Sequence, residues 1–218
     1  MNTLSFTSHN WLAHAINNAS LRRHQEVLAG RVLDLGCGDA PYEADIVAKG
    51  CTYVGVDWPK SLHGQRRVAA FADLGSELPF RDRAFDTVTS FQVLEHLPEP
   101  ALFLRECRRV LVPGGALLLT VPFQWREHEA PHDYFRFTRF GLERLLCAAG
   151  FTEVLVEPNT GYWQTMALKG NYWSLRFAKG PLRFLWMPVW FVRQAIAPLV
   201  DRVLPSPEET ASYTVVAR

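Results

Sequence analysis

The feature that most narrows the folds open to this chain is a series of six short apolar runs rich in β-branched residues. They are RVLDL (31–35), CTYVGVD (51–57), VAAFAD (68–73), FDTVTSF (85–91), ALLLTVPF (116–123) and EVLVEP (153–158), each parted from the next by helical or turn material. Near-continuous apolar runs belong to strands covered on both faces. Between them, PALFLRECRRVL sets Phe103, Cys107, Val110 and Leu111 on one helical face behind Pro100, a residue suited to a first turn. TRFGLERLLCAAG predicts another helix, capped by Thr138, buried through Leu142, Leu145, Leu146 and Ala149, and stopped by Gly150. Residues 10–28 read as a leading, modestly amphipathic helix ended by Gly30. Strands alternating with helices predict an open, largely parallel α/β sheet that binds ligands at the carboxyl ends of its strands.

One such end is written in RVLDLGCGDAPYEADI, where a strand runs into a glycine turn and then a helix. Gly36 and Gly38 permit positive φ and close approach of backbone to a ligand, and the helix that follows would offer free N–H groups. The next run ends in Asp57, 23 residues beyond Asp34. That is near the ~20-residue offset of an acid that bonds ribose hydroxyls, so a cofactor carrying a ribose is implied. A dinucleotide is disfavoured, because G-x-G-x-x-G needs a third glycine where Pro41 stands. The nucleotide phosphate loop is absent as well, since no Gly-Lys pair occurs in the chain.

The 218 residues, 48% hydrophobic and 21% charged, fit one globular domain with an appendage. The amino-terminal stretch lacks the pattern of a secretory signal, and Cys37, Cys51, Cys107 and Cys147 form no C-x-x-C pair. A cytoplasmic protein with reduced thiols and no metal is the expectation. The net charge of +1 hides an asymmetry: residues 162–205 hold six bases and one acid, a net of +5, which leaves −4 for the remainder. No basic stripe crosses the nucleotide-binding half, so nucleic acid is not an expected partner.

VLDLGCGDAPY, the acid of VGVDWP, ADLGSELPFRDRAFD, FDTVTSFQVLEHLPEP and RVLVPGGALLLTVP together resemble, in order, the class I S-adenosylmethionine-dependent methyltransferases, especially their type 11 branch. The likeness covers about residues 30–157 and a final strand, SYTVVAR. It implies a Rossmann-like, doubly wound, mostly parallel seven-stranded sheet with an antiparallel last strand and a hydrophobic, basic helical insertion before it. The chain divides accordingly into an N-terminal helical segment (1–29), a cofactor-binding core (30–158), an insertion (159–209) and the last strand (210–218).

The resemblance also implies residue roles toward S-adenosylmethionine. Gly36, Cys37 and Gly38 would line its methionine part, with Asp34 helping to hold the amino group. Asp57 would accept from the ribose, Trp58 would lie against adenine, and Asp73 with the backbone at Leu74 would take the adenine amino group. Phe91, Gln92 and His96 would border the sulfonium. One departure is Ala40, standing where the family's motif has its third glycine and expected to matter little. The N/D-P-P-Y motif of the nucleobase and amide branch is replaced by SFQV (90–93), which leaves oxygen or carbon as the methyl acceptor.

HEAPHDYFRF (128–137) contains the spelling H-E-x-x-H of a zinc-binding helix. Pro131 would break such a helix, and no third ligand is marked, so no metal is expected from it. The stretch follows the fifth strand, and PHDYFRFT resembles an acceptor-side segment of a subset of the family. His132, poised by Asp133, is the expected base for an acceptor hydroxyl, while Arg136 holds an anionic group and His128 and Tyr134 line the substrate.

Roughly fifty residues part EVLVEP from SYTVVAR, among them Trp163, Trp173, Trp186 and Trp190. Their aromatic, aliphatic and basic mixture suits an interfacial helix on anionic lipid, a lid over the acceptor pocket, or a dimer contact. The expected partners are thus a small-molecule acceptor and an anionic membrane surface, the chain acting as monomer or homodimer. Two other functions fit less well: a catalytically silent, S-adenosylmethionine-binding regulator and a dinucleotide-dependent oxidoreductase.

Overall fold

A computed structural model describes residues 5–61, 64, 65 and 67–218. Met1 to Leu4, the start of the stretch read above as lacking a secretory pattern, lie outside the described residues, as do Leu62, His63 and Arg66. Among the described residues, seven strands form one sheet in the order β3-β2-β1-β4-β5-β7-β6. They are β1 (Arg31–Leu35), β2 (Thr52–Asp57), β3 (Ala70–Phe71), β4 (Phe85–Phe91), β5 (Leu111–Pro122), β6 (Val154–Pro158) and β7 (Ser212–Ala217). β1 pairs in parallel with β2 and β4, and β4 with β5, whereas β7 runs antiparallel to both β5 and β6. The sequence order of strands reverses at β1 and β4, so the crevice above their carboxyl ends is the switch point where such sheets bind ligands.

Two expected strands differ in length. The run at 68–73 contributes only Ala70 and Phe71, paired to Val56 and Asp57 at the sheet edge. β5 starts five residues earlier than its apolar run because Leu111 pairs with Phe85, after which the register shifts before Thr87 meets Ala116. The inserted Val112–Gly115 stretch accommodates that irregularity, with Gly114 at φ 78°.

Among the described residues, six α-helices flank the sheet: α1 (Trp11–Arg23), α2 (Glu43–Val47), α3 (Pro100–Val110), α4 (Arg139–Ala148), α5 (Tyr162–Ser174) and α6 (Arg183–Val203). The predicted signals set the bounds of α3 and α4. Pro100 opens α3, Thr138 Oγ1 accepts from the Gly141 amide at 3.2 Å, and Gly150 leaves α4 at φ 96°. Phe103, Leu104, Cys107 and Val110 of α3 join Leu142 and Leu146 of α4 in the main core against β4 and β5.

The insertion is a helix pair, α5 and α6, closed onto α1. Trp190 is fully buried and its indole donates to Ser174 Oγ at 2.8 Å. Asp201 of α6 accepts from the amides of Gly161, Trp163 and Gln164, so a carboxylate far along the chain caps the start of α5. Gln194 accepts from the Leu12 amide and donates to the Phe6 carbonyl, tying α6 to the amino-terminal segment. Pro188 and Pro198 both lie within α6.

Candidate active site

The β1 turn places its groups by backbone geometry. Gly36 and Gly38 have φ of 76° and 52°, and a Cβ on Gly36 would sit 2.3 Å from Val93 Cγ2. Only a glycine lets this turn pass so close to the loop after β4. The amides of Gly36 and Cys37 both donate to the Val56 carbonyl, so the turn offers a ligand room rather than those two donors. α2 is only five residues long and begins at Glu43, so the expected helix amides do not open directly behind the turn. Ala40 has φ 53°. The missing third glycine therefore leaves a side chain in left-handed backbone, which costs about 1–2 kcal/mol and corrects the expectation that its loss matters little.

Two aspartates stand at the ends of β1 and β2. Asp34 is buried and accepts from the hydroxyls of Tyr53 (2.6 Å) and Thr89 (2.8 Å). Burial raises its carboxyl to about 6, against the opposing pull of those two hydrogen bonds. Tyr53 and Thr89 are residues that sequence reading missed, because a strand residue's partner across a parallel sheet has no fixed offset. Asp57 is also buried. Its Oδ1 accepts from the Trp58 amide at 2.8 Å, while Oδ2 is enclosed with no hydrogen-bond partner among the described residues. An orphaned carboxylate oxygen is costly, and a pair of ribose hydroxyls is the chemistry that would satisfy it.

The remaining cofactor-side residues are distributed around this crevice. Burial, first of all, pushes the Cys37 thiol up to about 12, so it stays protonated at neutral pH. Asp73 is exposed and folds its carboxylate back onto the Gly75 amide and the Ser76 hydroxyl, with Leu74 buried beneath. Phe91 closes β4 against Tyr42 at a ring separation of 4.3 Å. Gln92 has φ 57° and is pinned to Thr120 of β5 through its amide and side chain.

The loop after β5 differs from its expected arrangement. Residues 125–138 form neither helix nor strand, and Glu129 bends the chain at φ 53°. No zinc-protease helix is present there. Asp133 does not poise His132. Its carboxylate accepts from the His128 amide and Nδ1 and, through both oxygens, from Arg136 at 2.7 Å. That guanidinium holds Asp133 well below the usual carboxylate range. Arg136 also donates to the carbonyls of Trp125, Arg126 and Phe135, so all five of its N–H groups are engaged within the loop. It is a strut of the loop and is not placed to grip a substrate anion.

His132 is exposed and meets Tyr134 Oη at 3.2 Å, with its ring edge-to-face against Trp58 at 5.4 Å. The end of β2 and the acceptor loop are thereby side by side. The loops after β4 and β5 are joined as well. The amides of Tyr134 and Phe135 donate to the Glu95 carbonyl, and His96 Nδ1 donates to the His132 carbonyl at 2.6 Å. His96 and His128 lie ring to ring at 4.9 Å. Glu95, also missed, is fully buried beside them, and burial raises its carboxyl to about 8. The signal for it was an acid set directly before His96 in an otherwise apolar VLEHL.

Two hollows elsewhere, of about 300 Å³ beside Arg108 and Arg109 and about 530 Å³ beside His24 and Arg218, lie away from the carboxyl ends of the parallel strands. The crevice at β1, β2 and β4 is marked instead by its glycine turn and the orphaned oxygen of Asp57.

Residues 33–119 match a family described as a methyltransferase domain. A probable S-adenosylmethionine-dependent methyltransferase of Mycobacterium tuberculosis is 39% identical over 161 residues, 64% of this chain and 58% of that protein. A ubiquinone biosynthesis O-methyltransferase of Chromobacterium violaceum is 33% identical over 118 residues, 47% of this chain and 50% of that one. The chain thus spans about half the length of these relatives. The crystal structure of an S-adenosylmethionine-dependent methyltransferase from Archaeoglobus fulgidus superposes with a TM-score of 0.60 at 18% identity, over 93% of each chain, a likeness of fold alone.

Proposed function

We propose that the chain is an S-adenosylmethionine-dependent methyltransferase and that it moves a methyl group from that cofactor to an oxygen of a small, hydrophobic or lipid-linked acceptor. The orphaned Oδ2 of Asp57, beside a turn that only glycine fits, is the observation that carries this reading. When bound, the cofactor supplies an electrophilic methyl on a charged sulfur. Holding an acceptor in line with it can be worth ~7–11 kcal/mol, so side chains need mainly to position the reactants. Asp57 takes the ribose hydroxyls and Trp58 the adenine, while Gly36, Cys37 and Gly38 give the methionine part its room. His132, against Trp58, takes the proton of an acceptor hydroxyl, helped by Tyr134 rather than Asp133.

The outer face of α6 supports a hydrophobic acceptor. Leu185, Val189, Val192, Ile196, Leu199 and Val203 follow one another at alternating spacings of four and three, and all are exposed, while Trp190, Gln194, Ala197 and Asp201 face inward. The exposed charged residues of α6 are Arg183 and Arg202, one near each end, with no exposed acid to pair with them across two copies. Apolar centre and basic ends fit an anionic bilayer surface better than a second copy of the same face. Among the described residues no helix is long and apolar enough to cross a membrane, so α6 would lie on the surface.

S-adenosylhomocysteine formation, followed over a panel of hydroxylated acceptors in detergent micelles, tests the reaction. Turnover of at least one acceptor is expected, with His132→Ala slower by ~10²–10⁴-fold. Cofactor binding without turnover across the panel would favour a silent binder. Sedimentation with vesicles should show binding when phosphatidylglycerol is included and little to neutral vesicles. Equal recovery with both, or with neither, would remove the membrane reading.

A further inference from the structure

Glu95, His96 and His128 form the one group of three potential ligand side chains among the described residues whose donor atoms all lie within 4.8 Å of one another. Two features mark it as more than a cluster of polar residues. First, both imidazoles are already oriented. His96 donates Nδ1–H to the His132 carbonyl, and His128 donates Nδ1–H to Asp133 Oδ2, so in each ring the tautomer that makes this bond leaves the Nε2 lone pair available. An imidazole whose other nitrogen is fixed by a carbonyl or carboxylate is the arrangement that surrounds metal-bound histidines.

Second, Glu95 is fully buried, and neither Oε1 nor Oε2 has a hydrogen-bond partner among the described residues. Its Oε1 lies 3.7 Å from His96 Nε2, which places the orphaned carboxylate at the mouth of the two rings. Arg136, whose charge acts on Glu95, is engaged at all five N–H groups and so does not serve it. A buried carboxylate in this setting is either protonated or answered by a cation.

We propose that Glu95, His96 and His128 bind one divalent transition-metal ion, with zinc or manganese as the chemical class. The two nitrogens and one carboxylate, with no thiolate, match that class, and three protein ligands leave a coordination position open to an oxygen ligand. Metal–ligand bonds of ~2.1 Å set ligand atoms ~3–3.5 Å apart, so the three donors need to draw inward by only about 1 Å. The site draws one residue, His128, from the H-E-x-x-H spelling. His132, the second histidine of that spelling, contributes its carbonyl to orient His96 instead. The sequence expectation of no metal rested on the broken helix and on the lack of a marked third ligand, whereas these three ligands require no helix and draw two of their number from the loop after β4.

The test is independent of any acceptor. Protein stripped with chelator is titrated with Zn²⁺ and with Mn²⁺ by calorimetry, and the loaded sample is assayed for metal content. One equivalent of at least one ion should bind with micromolar or tighter affinity. His128→Ala and Glu95→Gln should each weaken it tenfold or more, and His132→Ala, which keeps the carbonyl, should leave it within about twofold. His128 is partly exposed and can be shortened without opening the core, so its variant decides the matter if Glu95→Gln fails to fold. Absence of stoichiometric binding, or affinity unchanged in His128→Ala, overturns the site. Failure here would leave cofactor binding intact, and failure of cofactor binding would leave this result standing.

Discussion

The turn after β1 and the loop after β5 each rest on an enclosed aspartate, and they use it in opposite ways. Asp34 has only neutral hydroxyls as partners, so burial prevails over their hydrogen bonds and raises its carboxyl to about 6. Asp133 is clasped by a guanidinium and a backbone amide, so it favours the ionised form and its carboxyl lies far below the normal range. The turn is shaped by backbone geometry, through Gly36, Gly38 and the close contact with Val93. The loop, which has no regular structure, is shaped by side-chain electrostatics. A site half built from local backbone can be read from spelling, whereas one built from ion pairs depends on which partner each charge finds.

The largest effect that would sharpen this contrast is expected in the loop. Asp133→Ala leaves Arg136 without its bidentate partner, in a pair whose carboxylate is only 2% exposed. Destabilisation of about 3 kcal/mol is expected in denaturant melts. A change below about 0.5 kcal/mol would show that the loop holds its shape by other means.

The pH dependences of the two aspartates should carry opposite signs. Because the folded Asp34 carboxyl lies above its unfolded value near 4, its stabilisation is complete below about pH 4 and is lost as pH rises through about 6, by on the order of 2 kcal/mol. Asp133, depressed by Arg136, contributes fully above pH ~4 and loses that contribution as pH falls through its folded value. Thermal melts of the wild type and Asp34→Asn between pH 4 and pH 7 isolate the first contribution, since buried Glu95 weakens both proteins alike and the wild type should weaken more than the variant across that window. Parallel curves would mean that Asp34 is ionised in the fold.

The smallest effect belongs to the turn. Ala40→Gly removes a methyl from left-handed backbone at φ 53° and should stabilise by about 0.5–1 kcal/mol after the entropy cost of a new glycine. A loss of stability would show that the buried Ala40 methyl contributes more by packing than it costs in strain.

The same contrast explains what the sequence disclosed. The alternation of strands and helices, the bounds of α3 and α4, the glycine turn and the placement of Asp57 follow from periodicity, caps and chain-order motifs, whose physics acts over a few residues. Asp133 and Arg136 were legible as residues of the acceptor loop. Their pairing was not, since His132, His128 and Arg136 all lay within reach and the three-dimensional course of the loop decides among them. Glu95 was passed over because an acid in an apolar run takes meaning only from what folds against it. The insertion was visible as an aromatic and basic segment. Its exposed α6 stripe became definite once Trp190, Gln194 and Asp201 fixed which face turns inward.

The central claim is that the crevice closed by Asp57 receives an adenosyl ligand, and calorimetric titration with S-adenosylhomocysteine tests it most directly. Binding at one site per chain is expected, with Asp57→Ala weaker by about 30- to 100-fold, the effect of losing charge-assisted hydrogen bonds worth ~2–3 kcal/mol. Absence of binding to the wild type, or equal affinity in the two proteins, would contradict the account.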